Sequence, residues 1–424
     1  ADKFNLCLAA GLKNRDWSIH IICTSNSNHP WKAEFEVISK NIWLLSDSAS
    51  IEIMASEIKN IIISKSIDVI FLSNSMQGYQ LLPWLKSNLP NIPVVDYLHC
   101  EDIDWRNGGY PMVSATFHEF IDHTVTTSGQ LQQWLIQRGA DWSKTSVCYI
   151  NIDIVANRKN LDRNLLVRKL LGINKDITTI LFVARLTAQK QPLVLLESIE
   201  RLYQINKNFK CVIIGDGPEK PVLLSQINKS KAKQAIHFLG SLPNEKVMEY
   251  MDAADIFFLP SAYEGIALSI FEAMAKELAI VGADVGGQKE LVTPDCGYLV
   301  PRSSPKQEAE MYAKILAKLI SEPGKIKELG KNSRRRVEEH FPLEQMINKM
   351  DMILQEAIKN HKSSVANVAD QYLVILNRLL HLESLNQQLS EVSNNKINKL
   401  LIKYQRQYNL ARKSYYKLKG IIAK

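Results

Sequence analysis

The chain is poor in the features that mark several large protein classes. No apolar run approaches the ~20 residues needed to cross a bilayer as a helix, and the first residues carry no signal-peptide pattern. The six cysteines (Cys7, Cys23, Cys100, Cys148, Cys211 and Cys296) lie far apart, with no Cys-x-x-Cys pair. That lacks the spacing of a metal site and reads as buried free thiols of a reducing compartment. Acidic residues are missing from 392 to 424, where nine Lys or Arg stand. The net charge of +8 is therefore the charge of a tail, and the preceding chain sums to about −1.

What is present is a 424-residue chain, 46% hydrophobic and 23% charged, a globular composition with room for two or three domains. Short apolar runs alternate with segments of helical spacing. Residues 1–12 carry Phe4, Leu8 and Leu12 on one face, followed by an apolar run at 19–23. An amphipathic segment at 51–64 precedes "IDVIFLS", and "LLPWLKSNLP" precedes "IPVVDYLHC". "HTVTTS", a helix over 129–138 and a strand near 147–150 complete a first α/β region. A second begins at "TTILFVARL", a strand ending at Arg185, and runs through a helix over 191–206, "KCVIIGDGPE", "AIHFLG" and "NEKVMEYMDAAD". Strands separated by helices of this length predict parallel, doubly wound sheets.

The most informative stretch is residues 257–292, "FFLPSAYEGIALSIFEAMAKELAIVGADVGGQKELV". The run at 256–259 predicts a strand, "SAYEG" a loop, 267–277 a helix and 278–281 a second strand. The loop falls at the carboxyl end of a parallel strand, where such sheets bind ligands. Gly265 lets backbone approach a ligand, and the helix start beyond it offers N–H groups to an anion. Glu264 and Glu272 flank that start. An anion cradle beside two carboxylates suits a ligand that is part phosphate and part polyol.

The Pro-Ser, Glu-Gly, Glu-Ala-Met-Ala and Gly-Gly-x-x-Glu elements of this stretch closely resemble the donor signature of the retaining GT-B glycosyltransferases of family 4. The resemblance runs from Ala1 to about Ala357 and implies an α/β fold of GT-B type, two Rossmann-like domains facing a cleft. It places the N-terminal acceptor domain at 1–155, the donor domain at 156–341 and a crossover helix at 342–358. A helical coiled-coil extension, 359–424, lies outside it. In the family a strand and a turn ending in Gly-Gly precede a segment like "ADKFNLCLAAGL". Here neither is present, nor an initiator Met, so the expectation is a fragment lacking one central strand. "YINIDI" at 149–154 departs from the family's inter-domain turn, with Tyr and Ile in place of Pro and Gly.

The resemblance also assigns roles. Arg185 and Lys190 of "ARLTAQKQP" match the cations that grip the donor phosphates, Glu272 the carboxylate that accepts the ribose hydroxyls, and Glu264 the one beside the transferred sugar. The N–H groups of Ile266 and Ala267 join Gly265 as donor contacts. His99 matches a strand-end histidine facing the sugar, so Glu264 and His99 are the catalytic candidates. A lone Arg and Lys five apart are ordinarily surface charges, and a lone strand-end His is ordinarily structural. No metal is expected, because Glu101, Asp102 and Asp104 of "HCEDID" have the wrong context for a strand-end Asp-x-Asp motif, and no cofactor beyond a nucleoside-diphosphate sugar. "DIDWRNGGYP", with Trp105 and Tyr110, is a candidate acceptor loop. The implied activity is retaining, metal-independent transfer to a glycan or lipid-linked glycan, in bacterial surface polysaccharide synthesis at the cytoplasmic face of the membrane.

Beyond residue 359, Val365, Val368, Tyr372, Ile375, Leu379, Leu382, Asn386 and Leu389 follow 3,4 spacing. This predicts self-association through 365–390, and the basic residues of 396–424 make membrane-surface contact a candidate, with nucleic acid ranked last. The contrasting function is a non-catalytic GT-B scaffold subunit that oligomerises through this segment. A sucrose-synthase-like or phosphorylase-like enzyme is the other alternative.

Overall fold

The computed structural model describes residues 2–24, 29, 31–45, 50–151, 153–154, 158–174 and 176–362, with scattered positions from 372 to 388. The described chain is α/β, and every strand pair in it is parallel.

In the first domain, β1 (Ile21–Cys23) pairs with β2 (Ile42–Leu44), and a second sheet has the order β3 (Ile70–Ser73), β4 (Val94–Leu98), β5 (His123–Thr126), β6 (Thr145–Val147). The last strand begins earlier than the apolar run at 147–150 predicts, because Thr145 is drawn into register with Thr124. β4 is buried along its whole length, as a central strand covered on both faces must be. β1 and β3 are not paired with each other; a groove of about 500 Å³ lies between them, lined by Ile21, Cys23, Ile70 and Leu72 and floored by Leu8 and Leu12. At its end Thr24 Oγ1 and Ser75 Oγ, 2.8 Å apart, link the segments that follow the two strands.

The second domain is one six-stranded sheet in the order β12-β11-β10-β7-β8-β9. It comprises β7 (Thr178–Val183), β8 (Phe209–Ile214), β9 (Ile236–Gly240), β10 (Ile256–Leu259), β11 (Ala279–Asp284) and β12 (Gly297–Pro301). β10 coincides with the predicted strand. The helix beside it, Leu268–Ala275, is shorter than predicted and is buried from Ile270 onward. Its sequence explains both facts: Leu, Ile, Phe, Ala and Met outnumber the polar Ser269 and Glu272, and Lys276 and Glu277 close it, Glu277 at φ 60°.

The helix Leu343–Asn360 runs back onto the first domain. Its Ile347 lies against Gly11, where an added Cβ would stand 1.9 Å from Ile347 Cδ1. Trp17 Nε1 donates to Asp351 at 2.8 Å, and Arg15 reaches both Glu344 and Asn348. Past this helix, Leu373 and Leu376 are buried against Ile51, Met54, Trp84 and Leu85 of the first domain, and Tyr372 Oη donates to the Gln80 carbonyl at 2.8 Å. Leu379 and Leu382, two positions of the 3,4 spacing, are exposed. The rest of that spacing except Tyr372, and all of the basic tail at 396–424, lie outside the described residues. All six cysteines are unpaired.

Candidate donor site

The site begins where strands end. Lys190 stands after β7, His99 after β4 and Glu264 after β10. The loop carrying Lys190 is tied to the loop carrying Glu264 by two bonds: Ala262 N donates to the Gln189 carbonyl at 2.7 Å, and Gln189 Nε2 to the Tyr263 carbonyl at 3.1 Å. Lys190 Nζ is thereby set against Glu264 Oε1 as an ion pair, with side chains 15% and 7% exposed. A carboxylate this buried needs a cationic partner, and its pairing fixes the position of both groups. Arg185 is exposed; its carbonyl accepts from Thr187 N at 2.9 Å, and its guanidinium has no hydrogen bond or ion pair among the described residues.

Gly265 follows, and its lack of a side chain is a requirement of close approach rather than of an unusual φ. A Cβ there would lie 1.7 Å from the His99 carbonyl oxygen, so backbone of one domain touches backbone of the other. Gly287 N donates to the Gly265 carbonyl at 2.7 Å. Gly286, at φ 53°, would put a Cβ 1.7 Å from the Glu264 carbonyl. Ile266 and Ala267 are buried and lead into the Leu268–Ala275 helix, whose N-terminus has no side-chain cap. Ile270 N turns back to the Ala267 carbonyl at 3.0 Å, so the N–H groups of Leu268 and Ser269 are the ones open to another acceptor, and the macrodipole favours an anion there.

Glu272, one turn into that helix, is buried and ion-paired to Lys3 of the first domain's Asp2–Lys13 helix. His99 sits beneath Phe4 and Tyr97, ring centroids 5.2 Å and 4.9 Å away, with Nε2 3.1 Å from Ser73 Oγ. Burial holds its imidazole well below the ordinary histidine range, so it is a neutral hydrogen-bonding group at pH 7. Seven of the eight predicted residues gather around the Leu268–Ala275 helix N-terminus and the loops joined to it; Arg185 is exposed, two residues past β7.

Two residues escaped the sequence reading. Lys3 gave no signal beyond being a charge in a first helical turn. Glu290, the last residue of Gly-Gly-x-x-Glu, was noted only as part of a motif. Its carboxylate accepts from Gly129 N at 2.9 Å, Gln130 N at 2.8 Å and Tyr149 Oη at 2.8 Å, capping the Gly129–Ile136 helix across the domain boundary. In the candidate acceptor loop, residues 106–109 all have positive φ. Tyr110 packs inward against Tyr79 and Trp105, and Tyr263 Oη donates to Asp102 at 3.2 Å. Among the described residues no group of three or more His, Cys, Asp or Glu is placed to hold a metal ion, and no helix is long and apolar enough to cross a membrane.

Two family descriptions match the chain: "Glycosyltransferase Family 4" over residues 3–155 and "Glycosyl transferases group 1" over residues 166–336. The chain belongs to the family 4 glycosyltransferases. Among its relatives, the amylovoran biosynthesis glycosyltransferase AmsK of Erwinia amylovora is 32% identical over 169 residues, 38% of this chain and 40% of that protein. The alpha-monoglucosyldiacylglycerol synthase of Acholeplasma laidlawii is 38% identical over 111 residues, 26% of this chain and 28% of that one. In both cases less than half of the relative is matched. The fold is shared with Anabaena HepE, solved with UDP (TM-score 0.70, 19% identity, 83% of this chain and 96% of that chain). Sucrose-phosphate synthase of Thermosynechococcus elongatus is similar too (TM-score 0.68, 19% identity, 83% and 92%). These likenesses show that this family 4 chain has the GT-B fold.

Proposed function

We propose that this family 4 chain is a glycosyltransferase of bacterial surface polysaccharide synthesis, moving a sugar from a nucleoside-diphosphate sugar to a glycan or lipid-linked glycan with retention of configuration and without a metal. The observation that carries the reading is the convergence on one helix N-terminus of Lys190 with Glu264, of Gly265 with the His99 carbonyl, and of Glu272 one turn further in. The AmsK relative of amylovoran biosynthesis and the UDP complex of HepE support it, the first for the product class and the second for the donor.

In this mechanism the diphosphate lies against the Leu268–Ala275 helix N-terminus, with Arg185 and Lys190 as counter-charges. Their positive potential acts on charge that grows as the bond from the anomeric carbon to phosphate oxygen breaks, where it counts most for rate. Glu272 accepts from the ribose hydroxyls. Glu264 stands beside the transferred sugar, orienting its hydroxyls and offsetting positive charge at the anomeric carbon. Neutral His99 hydrogen-bonds the sugar. The leaving phosphate takes the proton of the acceptor hydroxyl on the same face, which retains configuration.

The test is a panel of UDP-, GDP- and ADP-sugars incubated with the protein, with nucleotide release followed beside Glu264→Ala. One donor is expected to be hydrolysed slowly by the native chain, and the variant should lose that turnover at least ~100-fold. Turnover of no donor, with no nucleotide bound, would overturn the reading.

A further inference from the structure

We propose that Lys3 is a donor-binding residue supplied by the opposite domain: its ammonium holds the Glu272 carboxylate and moves onto the donor diphosphate when ribose hydroxyls take that carboxylate. The inference rests on the donor-site reading above and adds a residue and a movement to it.

The geometry begins with the helix Asp2–Lys13. Phe4, Leu8 and Leu12 bury one face of it, and beyond its far end Arg15 and Trp17 are tied to the Leu343–Asn360 helix. The backbone of Lys3 is therefore held in place, and only its side chain is adjustable. That side chain crosses the domain boundary to Glu272, with Asn244 Oδ1 as a second, weaker neighbour at 3.5 Å. The two side chains are 22% and 8% exposed, so the pair is sheltered without being sealed.

Glu272 cannot serve ribose unchanged while this pair stands. The Lys3 ammonium stands on Glu272 Oε1, so a ribose hydroxyl that takes that oxygen meets the ammonium there and competes with it. A displaced Lys3 has an acceptor within reach. Glu272 lies four residues past Leu268, roughly 6 Å of helix rise, and the helix N-terminus there is where the phosphates are placed. The four-carbon stem of Lys3 is the part free to swing along that path, and an ammonium binds phosphate as a mobile point charge. The charge balance points the same way: Lys190 shares its charge between Glu264 and the diphosphate, which leaves room for a further cation beside Arg185. The exchange would draw the first domain toward the donor, since Lys3 and the diphosphate lie on opposite sides of the boundary.

The experiment compares, by calorimetry, the nucleoside diphosphate that the native chain binds with the nucleoside of the same base, for native protein, Lys3→Met and Lys3→Arg. Methionine keeps the apolar stem and removes the charge. Lys3→Met is expected to weaken the diphosphate roughly 10-fold or more, the scale of one charge-assisted hydrogen bond. The nucleoside should bind as well as before or a few-fold better, because Glu272 has lost its competitor. Lys3→Arg should restore most of the diphosphate affinity. Equal weakening of both ligands, no change in either, or tightening of both would overturn the inference while leaving the donor site standing. If the native chain binds no nucleoside diphosphate, the donor-site reading itself fails. Should Lys3→Met not fold, Lys3→Gln with the same two ligands gives the same comparison.

Discussion

Gly265 shows how far a single residue could be read. From sequence it was a loop glycine that lets backbone come near a ligand; in the fold the atom it comes near is the His99 carbonyl of the other domain. The residue type was legible because only a missing Cβ permits such proximity, but the partner was not, since it lies over 160 positions away in sequence. Glu264, Glu272 and Lys190 were legible through the resemblance: alone, such charges are ordinarily solvated, and the long donor signature around them is what singled them out. That each carboxylate is held by a lysine was invisible, because ion pairing depends on which helices meet. Gly265→Ala tests the contact. Both colliding atoms belong to backbone or Cβ, so no side-chain rotation relieves them and the boundary must open. Nucleoside-diphosphate affinity is expected to fall at least ~10-fold, with melting lowered by a few degrees, as for a clash of about 1–3 kcal/mol. Unchanged affinity, measured by calorimetry, would remove Gly265 from the site.

Strands and helices were read more securely than their neighbours. β10 matched residue for residue because it is short, wholly apolar and stopped by Pro260, and the Phe4, Leu8, Leu12 stripe of the first helix is buried as its period requires. The division of the first domain's strands into two sheets is a non-local property, and apolar runs carry no record of which edge each will meet. The extension makes the same point. A 3,4 spacing says that a face is buried, not against what, and Leu373 and Leu376, which the fold buries on the first domain, are not in the spacing that predicted self-association. Leu376→Ala is expected to cost about 2–4 kcal/mol, the usual range for a buried leucine, and to lower the melting temperature by several degrees. Leu382→Ala, at an exposed position, should change stability by under ~0.5 kcal/mol. Equal melting temperatures for the two variants would mean that the extension does not dock where Leu376 meets Trp84 and Leu85.

The relation of the two domains is set by a few contacts, and Glu290 makes the most economical of them. Its carboxylate stands on the Gly129–Ile136 helix N-terminus, where Ser128 Oγ already accepts from Leu131 N at 3.1 Å. Side chains from both domains thus satisfy three of the four N–H groups that a helix start leaves open. The same carboxylate takes the Tyr149 hydroxyl, whose pKa burial and then Glu290 push up to about 12. Tyr149 begins the segment between the domains, and two residues on Asn151 Nδ2 donates to the Pro342 carbonyl at 2.7 Å, where the returning helix starts. One carboxylate of the second domain therefore restrains a helix of the first and the segment joining them. Glu290→Ala removes an anion from the positive end of a helix dipole and leaves two amides and a hydroxyl without their acceptor. The cost should be about 2–4 kcal/mol, the sum of a lost cap and charge-assisted bonds. Because Glu290 touches none of the proposed donor contacts, the loss is expected at the boundary rather than in the site. Small-angle scattering should show a larger radius of gyration for the variant, and a saturating nucleoside diphosphate should bring it back toward the native value, since a donor gripped from both sides supplies the missing restraint. A variant as compact and as stable as the native chain would mean that the domains are held by other contacts. A looser variant that nucleotide does not draw in would mean that the donor is bound by the second domain alone.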